Sequence, residues 1–256
     1  MFIDSHTHLF DTAFDQDRAE TMSRALDAGV LRMYLPNIDV QTVDAMLLMA
    51  DTWPEHCFPM LGLHPCSVKE DYREVLAALY ERFEAHRFAA IGEIGLDYHW
   101  DTAFKEEQKV AFQQQIDWAK KRGLPIAIHT RDSFEDALAM VEANQDGSLS
   151  GVFHCFTGSA EEARRVVDTG FYIGIGGIAT FKNGGLAPVL QQMSLSHILL
   201  ETDAPYLAPA PHRGKRNESA YIPLIAQKVA EVKEVSVAQV AEITTKNALN
   251  LFDKNK

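Results

Sequence analysis

The chain has 256 residues, of which 24 are Lys or Arg and 36 are Asp or Glu, for a formal net charge of −12. With 46% hydrophobic and 23% charged residues it has the composition of a folded globular protein, which excludes a disordered chain and a fibrous repeat. A chain of this length buries roughly three quarters of its unfolded surface, so it needs no disulfide to fold, and its acidic balance argues against binding nucleic acid by overall charge alone, while bound divalent cations can still build a local cationic site.

Short apolar runs alternate along the chain with longer amphipathic stretches. The first run is residues 1–9, followed by a helical pattern that begins near Asp17. Residues 30–38 form the second run and Val40–Ala50 the next helix. The third pair is residues 57–65 with Tyr72–Ala85, and the fourth is residues 88–97 with a long helix from about Phe104 to Arg122. Runs at 124–130, 150–156, 170–178 and 197–203 precede helical patterns near Phe134, Ala160, Leu186 and after Asn217. Each run reads as a strand buried on both faces, the mark of a parallel sheet. Eight strand–helix units divide 256 residues into 32 apiece, a length that suits one unit with its loops. No linker or composition shift interrupts them. The expectation is therefore an α/β fold, a (β/α)8 TIM barrel forming a single domain over residues 1–256. A last helix follows Val235, with Ser236 and Gln239 spaced as a capping box, and is expected to complete the outer ring of helices.

Cys57, Cys66 and Cys155 form no CxxC pair and cannot all be bridged internally, which favours a reducing compartment. The N-terminus lacks the basic, apolar pattern of a signal peptide, and no run of about 18 apolar residues exists. A cytoplasmic protein with no membrane association is expected, and no protein partner is indicated.

Ionisable residues collect at the C-terminal ends of the runs. The first run ends Asp4-Ser-His6-Thr-His8, whose alternate residues share one strand face. The fourth carries Glu93 and Asp97, the fifth His129 and Arg131, the sixth His154, and the eighth Glu201 and Asp203. In a barrel these ends converge on one mouth, where active sites sit. A lone histidine among them would be an ordinary buried, hydrogen-bonded side chain. Together they supply four imidazoles and several carboxylates, too many for one tetrahedral ion and suited to two divalent metal ions, Mg²⁺, Mn²⁺ or Zn²⁺, that activate water. Two readings stand for His64, in the GLHP segment: a contact to phosphate or a leaving oxygen, or a turn residue ahead of Pro65. Arg131 is placed to hold a phosphate or to pair with a local carboxylate. Arg213, Lys215 and Arg216 lie in the loop after the eighth run, where they grip a nucleic-acid backbone or stand as solvated charge. Tyr98 and Trp100 are expected to line the mouth and Cys155 to point away from it, with Lys120, Lys121 and Arg122 structural at the far end.

The segments DSHTHL, GEIGLD, PIAIHTRDSFED, FHCFTGS, LLETDAPYL and RGKRNES, in this order over nearly the whole chain, resemble the motif series of the TatD family of metal-dependent deoxyribonucleases, among the amidohydrolase-like barrels. The resemblance implies that His6, His8, Glu93 and Asp203 hold one metal, that Glu93, His129 and His154 hold the second, and that Glu93 bridges. Two positions depart from the family pattern: Phe10 follows the HxHL motif where Asp or Asn is usual, and Ser219 stands where Pro commonly follows RGKRNE. The expected activity is hydrolysis of phosphodiester bonds in DNA, with Glu93 and Asp203 catalytic and Asp203 accepting a proton from water. Single-stranded ends are the expected substrate, because a scissile phosphate must descend past eight loops that a duplex about 20 Å wide would meet first. The alternative is a metal-dependent amide or ester hydrolase acting on a small molecule, since the same barrel and ions attack carbonyls.

Overall fold

A computed structural model describes residues 1–100 and 102–253. Its eight strands are β1 (Phe2–Asp4), β2 (Val30–Pro36), β3 (Cys57–Leu61), β4 (Ala90–Asp97), β5 (Ile126–Arg131), β6 (Gly151–Phe153), β7 (Tyr172–Ile175) and β8 (Ile198–Leu200). All are parallel and pair in chain order. The seam between β8 and β1 is drawn together by Ser5 N–H donating to Leu200 O at 3.0 Å and Asp203 N–H donating to His6 O at 2.9 Å. The helices are α1 (Arg18–Asp27), α2 (Val43–Thr52), α3 (Tyr72–Ala85), α4 (Lys105–Arg122), α5 (Phe134–Asn144), α6 (Ala160–Asp168), α7 (Ala187–Gln192), α8 (Ile222–Lys233) and α9 (Val237–Phe252). The expected barrel is the fold of the chain.

Two layers of apolar side chains hold it. The larger lies between the strands and the helices, and includes Leu76 and Phe83 of α3 and Phe112 and Ile116 of α4, all fully buried. The smaller fills the barrel's lower interior with Ile3, Tyr34, Met60, Ala90, Ala127, Val152 and Leu199. Here the structure departs from the expectation for α9. Rather than joining the outer ring, α9 adds Ala248, Leu251 and Phe252 to the interior cluster, and the Phe252 ring stacks on Tyr34 at 4.0 Å. The apolar C-terminal turn of α9 has no other surface to cover once α8 completes the ring, so it plugs the end opposite the strands' C-termini. Its N-terminus is capped by Ser236 Oγ, which accepts from Gln239 N–H at 3.1 Å. Lys120, Lys121 and Arg122 end α4 at Gly123 (φ +64°) and pair with Asp146 and Glu84, the structural role expected of them. Among the described residues no helix is long and apolar enough to cross a membrane.

Several strands are shorter than their apolar runs. β1 stops at Asp4, β6 at Phe153 and β8 at Leu200, so His6, His8, His154 and Asp203 lie just beyond the sheet. Cys155 (φ +45°) and Asp203 (φ +57°) take the left-handed conformation there, which turns the chain over the mouth at some cost in strain.

Candidate metal centre

Five imidazoles close on the carboxylate of Glu93. Its Oε2 lies 3.2 Å from His6 Nε2 and 3.5 Å from His8 Nε2. Its Oε1 lies 2.8 Å from His154 Nε2, 3.0 Å from His129 Nδ1 and 3.3 Å from His64 Nε2. Asp203 Oδ1 stands 3.5 Å from His8 Nε2 and 3.8 Å from His6 Nε2. Glu93, His6 and His8 are buried, and Asp203 keeps 15% of its side chain exposed. Close backbone contacts set this register. Gly95 faces His129 across β4 and β5, and a Cβ on Gly95 would sit 2.1 Å from His129 O. A Cβ on Gly174 would meet the Glu201 carboxylate at 2.2 Å, so only glycine leaves room for that buried acid.

The partners of each ring fix which nitrogen carries the proton. His8 Nδ1 lies 3.0 Å from Pro36 O, which only accepts, so the proton is on Nδ1 and Nε2 turns a lone pair toward Glu93 and Asp203. His129 Nε2 donates to Asp97 Oδ2 at 2.9 Å, which leaves Nδ1 with its lone pair toward Glu93. Carboxylate, histidine and centre thus form a line that orients a ligand. His154 Nδ1 faces Glu201 Oε1 at 3.6 Å, and its Nε2 faces both Glu93 and, at 3.5 Å, the His129 Nδ1 lone pair. Acceptors aimed at acceptors in a largely buried cluster call for a cation between them, and the imidazole and carboxylate donors suit a divalent ion. The residues present therefore fit a metal centre. The donors fall into groups within reach of one ion: His6, His8 and Asp203, then His6, Glu93 and His154. Glu93 reaches both sides of the cluster through its two oxygens.

His64 is different. With Glu93 and His129 it makes a third group of ligand-like geometry. Its Nδ1, however, accepts from Cys66 N–H at 3.1 Å, so in the neutral ring the proton is on Nε2. His64 presents a donor to the mouth and not a metal-binding lone pair. The same bond caps the short turn at Pro65, the second of the two readings of His64.

At each of these groups burial competes with the neighbouring charges. Burial alone would push Glu93 up, but the charges of His154, His64 and His6 and the His129 bond hold it well below the usual carboxylate range. Burial is likewise outweighed at Asp203 by the His8 bond and His154. Burial and the charge of His154 push His6 down, and burial pushes His64 down. At His8, His129 and His154 the carboxylates win over burial and the imidazoles are pushed up.

The donors form the floor of a cavity of about 700 Å³, whose walls include Arg131, Trp100, Tyr206 and Leu207. Arg131 makes no ion pair among the described residues, and its guanidinium lies over the Trp100 ring at 5.0 Å. The alternative reading, a pairing with a local carboxylate, finds no such partner among the described residues. Cys155 lines the cavity instead of pointing away from it. The Cys66 thiol also lines it, but burial and Asp97 push it up to about 12, which excludes a thiolate nucleophile at neutral pH. Tyr98 is not at this mouth, because its hydroxyl donates to Asp136 at 2.8 Å beside a neighbouring cavity. Arg216 is corrected too. It forks onto Asp17 at 2.6 and 2.7 Å and reaches Ala13 O, so it anchors the loop after β8 and is not free for substrate. Arg213 lies over the Phe181 ring at 4.1 Å, and neither it nor Lys215 lines the cavity.

Asp4 was expected to point with His6 and His8. Instead it turns sideways into a buried network, accepting from Thr202 N–H at 2.9 Å and from Ser219 Oγ at 2.7 Å. Ser219, the residue that departs from the family pattern, thus holds the strand from which His6 and His8 emerge. The sequence reading passed over Asp97 and Tyr206 as site residues. The spacing of Asp97, two residues before His99 at a strand end beside β5, carries no ligand pattern of its own, and its role appears only when β5 brings His129 alongside.

A family model described as TatD related DNase matches residues 3–253. The chain belongs to this family. A Bacillus subtilis protein named "uncharacterized metal-dependent hydrolase YabD" is 39% identical over 256 residues, covering 100% of both chains. The Salmonella typhimurium protein named "3'-5' ssDNA/RNA exonuclease TatD" is 33% identical and covers 98% of each chain. The crystal structure of the TatD homologue YJJV from Escherichia coli superposes with a TM-score of 0.92 at 27% identity, over 98% of both chains.

Proposed function

We propose that this enzyme hydrolyses phosphodiester bonds in single-stranded DNA, working from an end and using two divalent ions. The observation that carries the reading is the placement of Glu93 between two sets of opposed lone pairs at the floor of a cavity whose walls hold an arginine with no ion pair among the described residues and a histidine N–H donor. The likeness to a relative named as a single-strand exonuclease supports it. Mg²⁺, Mn²⁺ or Zn²⁺ held by His6, His8, Glu93, His129, His154 and Asp203 would supply a water activated at neutral pH and a counter-charge for phosphate oxygens.

The chain's own residues do the rest. Glu93 stays anionic and holds the two halves of the site in register. Asp203 is kept ionised by His8 and His154, and is the more exposed of the two carboxylates, so it is placed to take a proton from water at its free oxygen. His64 Nε2–H and Arg131 meet the phosphate. Asp97 and Glu201 hold the His129 and His154 rings. Arg213 and Lys215 steer the strand from the rim. The test is a closed circular single strand beside its linear form of the same sequence, with an acyl amide panel alongside. The linear strand should be cut much faster than the circle and the amides left intact. Equal rates on circle and line would contradict end entry, and turnover confined to amides would contradict the nuclease reading.

A further inference from the structure

In an eight-stranded barrel the loops after β4 and β8 stand diametrically across the mouth from each other. Each carries an exposed aromatic residue into the same cavity: Trp100 after β4, 70% exposed, and Tyr206 after β8, 50% exposed. A single exposed side chain is ordinary on a protein surface, but two large rings lining one cavity above a polar floor offer an apolar surface for a ligand to cover. Both are held in place from behind. Trp100 N–H donates to Asp97 Oδ1 at 3.3 Å, and the His99 ring meets the indole edge-on at 5.0 Å. Tyr206 N–H donates to Asp203 O at 2.8 Å, its ring meets that of His8 edge-on at 6.2 Å, and its carbonyl accepts from the buried Asn217. Asp97 and Asp203 also serve the centre, so each ring is tied to one side of the donor cluster. Arg131, beside Trp100, supplies a cation at the ring and makes no ion pair among the described residues.

We infer that Trp100 and Tyr206 form a two-walled clamp that stacks the two bases flanking the cleaved phosphate, one base on each ring. The inference rests on the proposed nuclease reading and adds the recognition element to it. A phosphate over Glu93 and Asp203 sends its two nucleosides toward opposite walls, and those walls are aromatic. Stacking tolerates any base, since every base has a π-face, so the clamp selects for the presence of bases and not for their sequence. Arg131 holds the phosphate on the Trp100 side by charge and cation–π support.

The experiment uses the metal-loaded protein and short single strands that carry a base, or an abasic tetrahydrofuran, on either side of one cleavable bond. Removing either base should lower kcat/KM about ten-fold or more. Trp100→Ala should abolish the dependence on one of the two bases and Tyr206→Ala the dependence on the other, while Trp100→Phe and Tyr206→Phe retain both. Binding is read separately, by quenching of tryptophan fluorescence on rapid mixing, since Trp100 is the exposed indole while Trp118 is buried. Intact strands should quench and strands lacking the base on the Trp100 side should not. Equal cleavage and equal quenching by intact and abasic strands would overturn the clamp and leave the nuclease reading standing. Quenching specific to bases without cleavage of any strand would support the clamp and overturn the nuclease reading.

Discussion

Glu93 meets imidazoles through both oxygens, and Asp203 meets two of the same rings from the other side. Removing one negative charge there leaves the geometry nearly unchanged but weakens the hold on a cation. Glu93→Gln and Asp203→Asn should each lower kcat at least about a hundred-fold with unchanged circular dichroism, and a variant near wild-type turnover would remove that residue from the chemistry. Asp4 behaves differently because it is buried in hydroxyls and not among cations. Burial pushes its carboxyl up to about 7, against the bonds from Thr202, Ser219 and His6. Between roughly pH 4 and 7 the folded chain then keeps a proton that the unfolded chain has released, so this group's contribution is full below pH 4 and is lost as pH rises through 7. The hydroxyls of Thr202 and Ser219 can turn to accept from an amide, so Asp4→Asn should fold. Its stability relative to wild type should rise by about 3 kcal/mol between pH 4.5 and 7.5. Urea unfolding at the two pH values checks this, and a difference independent of pH would contradict it.

At the scale of elements, the strands were legible because parallel strands buried on both faces read as unbroken apolar runs, and β4, AIGEIGLD, is buried at every position. The residues proposed to hold metal, His6, His8, Glu93, His129, His154 and Asp203, were legible as a convergence of ionisable side chains at the ends of those runs. What was not legible is where the chain leaves the sheet. His6, His8 and Asp203 lie past the strand ends, so alternation no longer says where Asp4 points. The role of α9 was also hidden, since an amphipathic stripe looks the same whether it covers a barrel's side or its base. With Phe252 only 6% exposed and stacked on Tyr34, Phe252→Ala should cost about 3–5 kcal/mol in chemical denaturation while leaving the metal donors in place. The loop after β8 shows a further limit: RGKR reads as one basic cluster, but only contacts separate its members. Arg213→Ala and Lys215→Ala should each reduce the slope of log affinity for DNA against log salt by about one, whereas Arg216→Ala, already paired with Asp17, should leave it unchanged. A uniform effect of all three would return the cluster to a single patch.

For the whole molecule, a net charge of −12 offers no long basic track for a nucleic acid. In the proposed function, affinity comes from the mouth itself, through cations held on the floor and side chains on the walls, and activity depends on the metal more than on any surface. The barrel supplies eight converging strand ends, α9 closes the opposite end, and every buried acid at the mouth faces an imidazole or a hydroxyl. The most direct measurement is therefore metal removal and return. Protein stripped with EDTA, with its metal content followed by elemental analysis, is incubated with end-labelled linear single-stranded DNA, and Mg²⁺, Mn²⁺ or Zn²⁺ is then added back. Hydrolysis should fall to background on stripping and return with at least one of the three ions. Full hydrolysis by protein shown to be free of metal would contradict the central claim.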